Sequence, residues 1–206
     1  MWVIGIAGVK GSGKDTAANF LRDLFAAEVL PKTVAIHAYA QPLKRVCQEL
    51  FLLTEEQLYN QEAKEQVDDR WGLSPRAMLQ QVGTDYVRAQ WGSDFWLKHM
   101  RYYLDAQQQQ GTDVVIIPDV RFQNEVDFIH EYGTTNVVLY IDRTPPQPQP
   151  LPQPLPQPLP EDGHISELGV HSLQNIDIRL LNHSTLPKFY RMLFSWYSSQ
   201  FDNNTK

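Results

Sequence analysis

Cysteine is almost missing from these 206 residues, Cys47 being the only one. An internal disulfide and a cysteine-based metal site are therefore both excluded. Cys47 falls at helical spacing with Leu43, Val46, Leu50 and Phe51, and a buried thiol is the expected outcome. No run approaches the roughly 20 apolar residues that a bilayer-spanning helix needs. The opening stretch Trp2–Ala7 is too short and wrongly flanked for a secretory signal. A soluble, cytoplasmic protein is the expectation. Basic residues are also in deficit: 18 Lys and Arg against 24 Asp and Glu leave a formal charge of -6. That balance argues against a nucleic-acid polymer as partner, although a few local cations suffice to hold one phosphate group.

What is present reads as an α/β chain. Its length suits one sizeable domain, with room for a small inserted lobe. Hydrophobic residues make up 42% and there are five Trp, enough for a well-filled core. Residues 2–7 read as a short buried strand that stops at glycines. From Lys14 the pattern turns helical, with Ala17, Ala18, Leu21, Leu24 and Phe25 at threes and fours. Thr33–His37 is a second strand, and Pro42 suits the first turn of the helix after it. Residues 54–66 begin as a capped helix with Glu55 and Glu56 in its first turn. Ser74-Pro75 opens another helix toward Arg88, and Ser93 or Asp94 caps the one carrying Trp96, Met100 and Leu104.

Val114-Val-Ile-Ile117 is a third strand, continuously apolar as a strand covered on both faces should be. Arg121 to Tyr132 is helical and stops at Gly133. Residues 136–141 and 176–181 are the fourth and fifth strands, and a last amphipathic helix spans about Leu186 to Phe201. Strands separated by helical patterns imply a parallel sheet of about five strands with helices on both faces, a three-layer α/β/α arrangement. The helical stretch 42–108 between the second and third strands stands out as an inserted lobe.

Residues 145–160 are unlike the rest, with nine Pro, four Gln and three Leu in a Gln-Pro-Leu-Pro repeat. Such a run favours polyproline II and cannot pair in a sheet or continue a helix. At about 3.1 Å per residue it reaches on the order of 50 Å. It is a stiff flap, a ligand for a proline-binding domain, or an expanded surface loop.

The chemistry is concentrated between the first strand and the first helix, in Gly8-Val-Lys-Gly-Ser-Gly-Lys14. A phosphoryl group carries several negative oxygens and needs many donors in a small volume. Glycines let the backbone wrap close with its N–H groups inward, and the following helix adds the positive end of its dipole. Gly8, Gly13 and Lys14 have the P-loop spacing, with Lys10, Gly11 and Ser12 inside the loop. Lys14 is expected to bridge the β- and γ-phosphates of ATP and to follow the charge as it moves. After the lysine stands Asp15, where Ser or Thr usually helps to bind Mg2+. A carboxylate is also a hard oxygen ligand, direct or through water, and Thr16 adds a hydroxyl directed toward the α-phosphate. Lys10 offsets the extra negative charge. A metal pair of Asp15 and Thr16 is thus the expectation.

Ligands of open parallel sheets gather at the carboxyl ends of the strands. Asp119 and Arg121 fall just past the third strand; Asp119 could assist the acceptor or the metal, and Arg121 could hold a phosphate. Arg121 and Glu125 are four apart, so a helical ion pair is the competing reading. Trp96 is either core or an aromatic face beside a base. Lys44 is either a phosphate contact or a surface lysine.

Taken together, Gly8–Thr16, Gln41-Pro-Leu-Lys44, Arg76 to Asp85, Phe95-Trp-Leu-Lys98, Pro118-Asp-Val-Arg121 with Glu125, His164-Ile-Ser-Glu167 and Asn182 resemble the bacteriophage deoxynucleoside monophosphate kinases. The match runs in order over most of the chain and fails in the proline run, and the Lys-Asp-Thr ending of the loop is shared with that family. The resemblance implies a P-loop NTPase-type fold in which 42–108 binds substrate. It implies transfer of a phosphoryl group from ATP to a deoxynucleoside monophosphate, with Mg2+. Lys14, Arg121 and Asp119 would be catalytic. Lys44, Arg76 and Arg121 would bind the acceptor phosphate, while Gly83, Thr84, Trp96 and Glu125 would shape the sugar and base pocket. Asn182 would lie near the donor adenine; His164 and Glu167 match a family motif without an assigned role.

In related kinases a basic lid follows the fourth strand. Here that place holds the proline run, and no Lys or Arg occurs between Arg143 and Arg179. The closing cations are expected from the 42–98 lobe and from Arg121 or Arg143. Other small-molecule P-loop kinases, of the dephospho-coenzyme A or phosphomevalonate type, share part of these motifs. A non-catalytic nucleotide-binding regulator with the proline run as docking peptide is the reading from another class. Homodimer formation is left open.

Overall fold

A computed structural model describes residues 1–133, 135–143 and 169–201. The proline run 145–160, His164 and Glu167 lie outside the described residues. Among the described residues five strands, β1 (Trp2–Ala7), β2 (Val34–Ile36), β3 (Val114–Val120), β4 (Val137–Asp142) and β5 (Ile178–Leu181), are interspersed with eight α-helices. These are α1 (Lys14–Ala26), α2 (Ala40–Phe51), α3 (Glu55–Tyr59), α4 (Pro75–Gln80), α5 (Ala89–Trp91), α6 (Phe95–Gln109), α7 (Gln123–Tyr132) and α8 (Leu186–Phe201). The chain divides into two units, Met1–His37 with Asp105–Lys206, and Ala38–Leu104.

In the first unit the strands form one sheet in the order β2-β3-β1-β4-β5, with every pair parallel. This is the α/β architecture the alternating pattern implies. Side chains alternate across β1. Ile4 and Ile6 join Leu21 and Phe25 of α1 and Phe189 and Leu193 of α8 in one core. On the other face Gly5 leaves room for α7, since a Cβ there would lie 2.6 Å from Ile129 Cδ1. Helices therefore cover both faces. β3 runs to Val120, so Asp119 belongs to the strand rather than following it, and α7 starts at Gln123 rather than Arg121. Among the described residues no helix is long and apolar enough to cross a membrane.

The second unit is helical. Thr54 caps α3 through a reciprocal box with Gln57, and the Ser74 hydroxyl accepts from the N–H of Ala77 with Pro75 at the first helical position, both as the residue types require. The helix expected over 54–66 nevertheless ends at Tyr59. Asn60 adopts an extended conformation, and its Oδ1 accepts from the N–H of Glu62 at 2.8 Å and of Ala63 at 3.1 Å. That local turn competes successfully with another helical turn.

Beyond it, Asp68 accepts from Gln57 Nε2, from Arg70 Nε and Nη2, and from the Arg70 N–H. Arg70, then Gln57, hold its carboxyl well below the usual carboxylate range. Lys98 does the same for Asp94, and Thr33 for Asp113, to a lesser extent. A carboxyl depressed in the folded state stabilises above its unfolded pKa and loses that contribution as pH falls through the folded one. Stability is thus expected to decline from about pH 5 downward, and Asp68→Asn should flatten the decline in urea titrations at stepped pH. An unchanged pH profile in Asp68→Asn would show that this cluster is not part of the acid response.

Cys47 is fully buried, as expected, and burial pushes its thiol up to about 11. The apolar stripe around it is only half covered, since Val46 and Leu50 are 52% and 58% exposed. The helix opened at Ser74-Pro75 continues to Trp91, but Gln81–Arg88 is wound as a π-helix. Such a register change leaves carbonyls without their regular partner. Gly83 O is satisfied by the buried indole N–H of Trp96 at 3.0 Å. A Cβ on Gly83 would lie 2.4 Å from Leu43 Cδ2, so the glycine admits α2 at close range.

Candidate phosphate-binding site

The site is built where β1 ends. Gly8, Gly11 and Gly13 have φ of 145°, 73° and 102°, a conformation that side chains resist and glycine adopts freely. Two of the three are also sterically obligatory. A Cβ on Gly8 would stand 2.5 Å from Ile141 O and 2.7 Å from Ser12 Oγ, and one on Gly13 would stand 2.8 Å from Asn182 Nδ2. Nothing lies within 4 Å of such an atom on Gly11. The loop turns into α1 at Gly13, which supplies no side-chain cap. The helix N-terminus therefore presents its amides and positive dipole end to the loop's interior.

Lys14 Nζ donates to Gly8 O at 2.7 Å and Val9 O at 2.8 Å, which places its ammonium on the rim formed by the loop's first residues. Asn182, one residue past β5, donates to Ser12 O at 2.8 Å and ties the loop's second half to the sheet. Arg143, one residue past β4, donates from Nη1 to Gly11 O at 2.7 Å. Ser12 is fully buried, and its hydroxyl has no partner among the described residues. Lys10 and Asp15 are exposed, and Thr16 is half-buried.

The sheet brings the later motifs to this same edge. Ala7 registers with Val120 on one side and with Tyr140 on the other, and Asp142 with Leu181. Asp119 and Arg121 therefore end beside the start of the loop, with Arg143 and Asn182 on the opposite flank. Glu125 is buried, at 2% exposure. Its Oε2 accepts from the main-chain N–H of Arg121 at 2.8 Å and of Phe122 at 3.2 Å. The four-residue spacing thus caps the start of α7 and holds the backbone at Arg121 in place.

The remaining expected residues belong to the second unit. Lys44 Nζ lies 3.9 Å from the centre of the Tyr59 ring. Arg76 pairs with Glu65 at 2.6 Å and donates to Gln61 at 3.2 Å. Trp96 is 8% exposed and Gly83 is buried, so both pack inside that unit. Thr84 sits on the π-helix, half-buried. Reading the sequence did not reveal the buried Ser12 hydroxyl, the stapling role of Asn182, or which carbonyl Arg143 would meet. Those depend on pairs 132 and 170 residues apart.

Comparison with known proteins identifies the family. The model of the deoxynucleotide monophosphate kinase family matches residues 51–193. A protein of Acanthamoeba polyphaga mimivirus, provisionally named a deoxynucleotide monophosphate kinase, is 40% identical over 205 residues, 95% of each chain. The deoxynucleotide monophosphate kinase of Enterobacteria phage T4 is 27% identical over 125 residues, covering 60% of this chain and 44% of that one. The crystal structure of a sugar kinase from Janibacter sp. HTCC2649 aligns over 98% of this chain and 94% of that one, at 16% identity and a TM-score of 0.47, a likeness too loose to bear on chemistry. With the family model spanning more than half of its length and a viral relative matching nearly end to end, this chain belongs to the deoxynucleotide monophosphate kinase family.

Proposed function

We propose that this protein transfers the γ-phosphoryl group of ATP to a deoxynucleoside monophosphate, giving the diphosphate and ADP, in the cytoplasm of a host cell. The carrying observation is the meeting at one sheet edge of the glycine loop and Lys14 with Asp119, Arg121, Arg143 and Asn182. The loop amides and the α1 terminus hold the donor phosphates, and Lys14, seated on its two carbonyls, neutralises charge on the β- and γ-oxygens with its third donor. Arg121, at the end of β3, holds the acceptor phosphate as a bidentate anion clamp. Asp119 steadies the acceptor end of the site, and the family resemblance assigns Lys44 and Arg76 of the second unit to phosphate binding. Gly83, Thr84 and Trp96 shape the sugar and base pocket, with Glu125 fixing the backbone from which Arg121 projects.

Mg2+ fits this donor set in a particular way. Among the described residues no group of three His, Cys, Asp or Glu could hold a metal ion by itself. Asp15 in the first turn of α1 offers an exposed carboxylate, and Thr16 a hydroxyl. Mg2+ commonly takes one or two protein oxygens and completes its shell with phosphates and water. Asp15 and Thr16 would hold it together with the nucleotide. When bound, it neutralises charge on the bridging and terminal phosphate oxygens.

The test is ADP release over all deoxy- and ribonucleoside monophosphates, with ATP and Mg2+. Release that requires a deoxynucleoside monophosphate is the expected result. Release driven only by dephospho-coenzyme A or phosphomevalonate would transfer the protein to another kinase class. ATP binding without acceptor-dependent release would make it a regulator. Arg121→Ala should raise the acceptor KM by about 30-fold, the loss of a charge-assisted contact, while calorimetric ATP affinity stays within about threefold. Equal losses in both would contradict the assigned division.

A further inference from the structure

We propose that Arg143 is a catalytic arginine of this site, moving from the Gly11 carbonyl onto the γ-phosphoryl group and supplying the positive charge that a basic lid would otherwise bring. The inference rests on the phosphotransferase reading and assigns a task within it. Arg143 is exposed, and it is held to the loop by one hydrogen bond, from Nη1 to Gly11 O at 2.7 Å. A guanidinium has five N–H donors in a rigid fork, so its remaining donors are available to phosphate oxygens.

Its location indicates which phosphate it meets. Lys14 Nζ stands on the carbonyls of Gly8 and Val9, and the P-loop lysine serves the β- and γ-phosphates. The first half of the loop is therefore the γ end, whereas the second half and the start of α1 face the inner phosphates. Gly11 lies beside the γ end, and the side on which a Cβ would stand is open, with nothing within 4 Å of that position. The backbone of Arg143 is fixed independently of the loop. It directly follows Asp142, which pairs with Leu181 in the sheet. A flexible side chain on a rigid strand end, resting on a neutral carbonyl, exchanges that weak partner for the γ-phosphoryl oxygens only as charge shifts in the transition state, so the contact adds to kcat and not to ATP affinity.

In the transfer, an acceptor phosphate oxygen forms a new bond to the γ-phosphorus as the bond to the β-γ bridging oxygen breaks. The bridging electron pair leaves on the β-phosphate of ADP. Arg143 neither gives nor takes a proton; it stabilises the equatorial oxygens and the leaving oxygen while charge shifts between them. An arginine that stabilises transition-state charge in this way contributes about 10^3- to 10^5-fold to kcat in GTPases that use one.

The experiment compares wild type, Arg143→Ala and Arg143→Lys for kcat, KM of both substrates, ATP affinity by calorimetry, and melting temperature. Arg143→Ala is expected to lose about 10^3-fold in kcat with ATP affinity within about threefold and an unchanged melting temperature. Millimolar guanidinium should restore part of the lost rate. Arg143→Lys should recover only a fraction, because an ammonium cannot supply the fork. Removing residues 146–158, which leaves Arg143 in place, should keep kcat within about threefold of wild type. If ATP affinity or melting temperature falls together with the rate in Arg143→Ala, the arginine only staples the loop and the proposal is overturned. It is equally overturned if kcat survives, or if the folded deletion variant loses turnover. A wild-type protein without acceptor-dependent ADP release defeats the phosphotransferase reading itself, whereas normal wild-type turnover with an indifferent Arg143→Ala defeats only the arginine's role.

Discussion

Replacing Lys14 by alanine is expected to lower kcat by about 10^2- to 10^3-fold, the order seen when one preorganised donor to a developing charge is removed. The protein should remain folded. Lys14 is only partly buried, and its bonds to Gly8 O and Val9 O leave carbonyls that water can serve once the side chain is gone. Net contributions of such charge-assisted bonds run to about 1.5–3 kcal/mol each, and a partly buried site that water can enter keeps these two toward the low end. A steep loss of ADP release with a circular dichroism spectrum like that of wild type is therefore the signature. Lys14→Arg should not rescue it, since a compact ammonium and a planar fork do not occupy the same space between two phosphates. Turnover within a few-fold of wild type in Lys14→Ala would remove the loop from the chemistry.

The second large effect concerns the shape of the loop. Gly8→Ala must place a Cβ 2.5 Å from Ile141 O and 2.7 Å from Ser12 Oγ, at a φ of 145°. Neither neighbour can give way easily: one is the backbone of β4, and the other is fully buried. Strain and overpacking of this kind cost about 3 kcal/mol together, or roughly 6–12 °C in melting temperature for a chain of this size. ATP affinity should fall by about 100-fold, because the amides of a displaced loop no longer converge on the phosphates. Gly11→Ala is the comparison that isolates the cause. Its φ of 73° is also unfavourable for a side chain, but no atom lies within 4 Å. It should cost about 1 kcal/mol and spare most of the binding. Equal damage from both substitutions would mean that φ alone, and not the packing of β1 against β4, sets the requirement at Gly8.

What could be read from the chain without coordinates was local in origin. The strand Trp2–Ala7, the loop and α1 are consecutive, and the glycines, the lysine and the helical spacing of Ala17, Leu21 and Phe25 announce them without reference to anything distant. The same holds for the Thr54 box and the Ser74-Pro75 start, where cap and capped amide are three residues apart. A continuous apolar run marked β3 as a strand buried on both faces, and the alternation of strands with helices implied a parallel sheet.

Tertiary structure alone decided how those pieces meet. The order β2-β3-β1-β4-β5 puts Arg121 and Arg143 on opposite flanks of one loop, and no local spacing encodes that order. Within the π-helix at Gln81–Arg88, Gly83 lies against Leu43, and its carbonyl accepts from the Trp96 indole. Neither partner is within helical reach in the sequence. The stripe Val46 and Leu50 was indistinguishable from core by period, yet it is exposed, because periodicity reports which residues share a face and not whether another element covers it. Glu125, four residues from Arg121, had two readings on spacing, and the bend of the backbone before α7 turned its carboxylate to the main-chain amides of Arg121 and Phe122. Short-range order is set by backbone preferences and neighbouring side chains, which the sequence states directly. The assembly of a site depends on free energies of packing between residues more than a hundred positions apart, and those are settled only when the whole chain has folded.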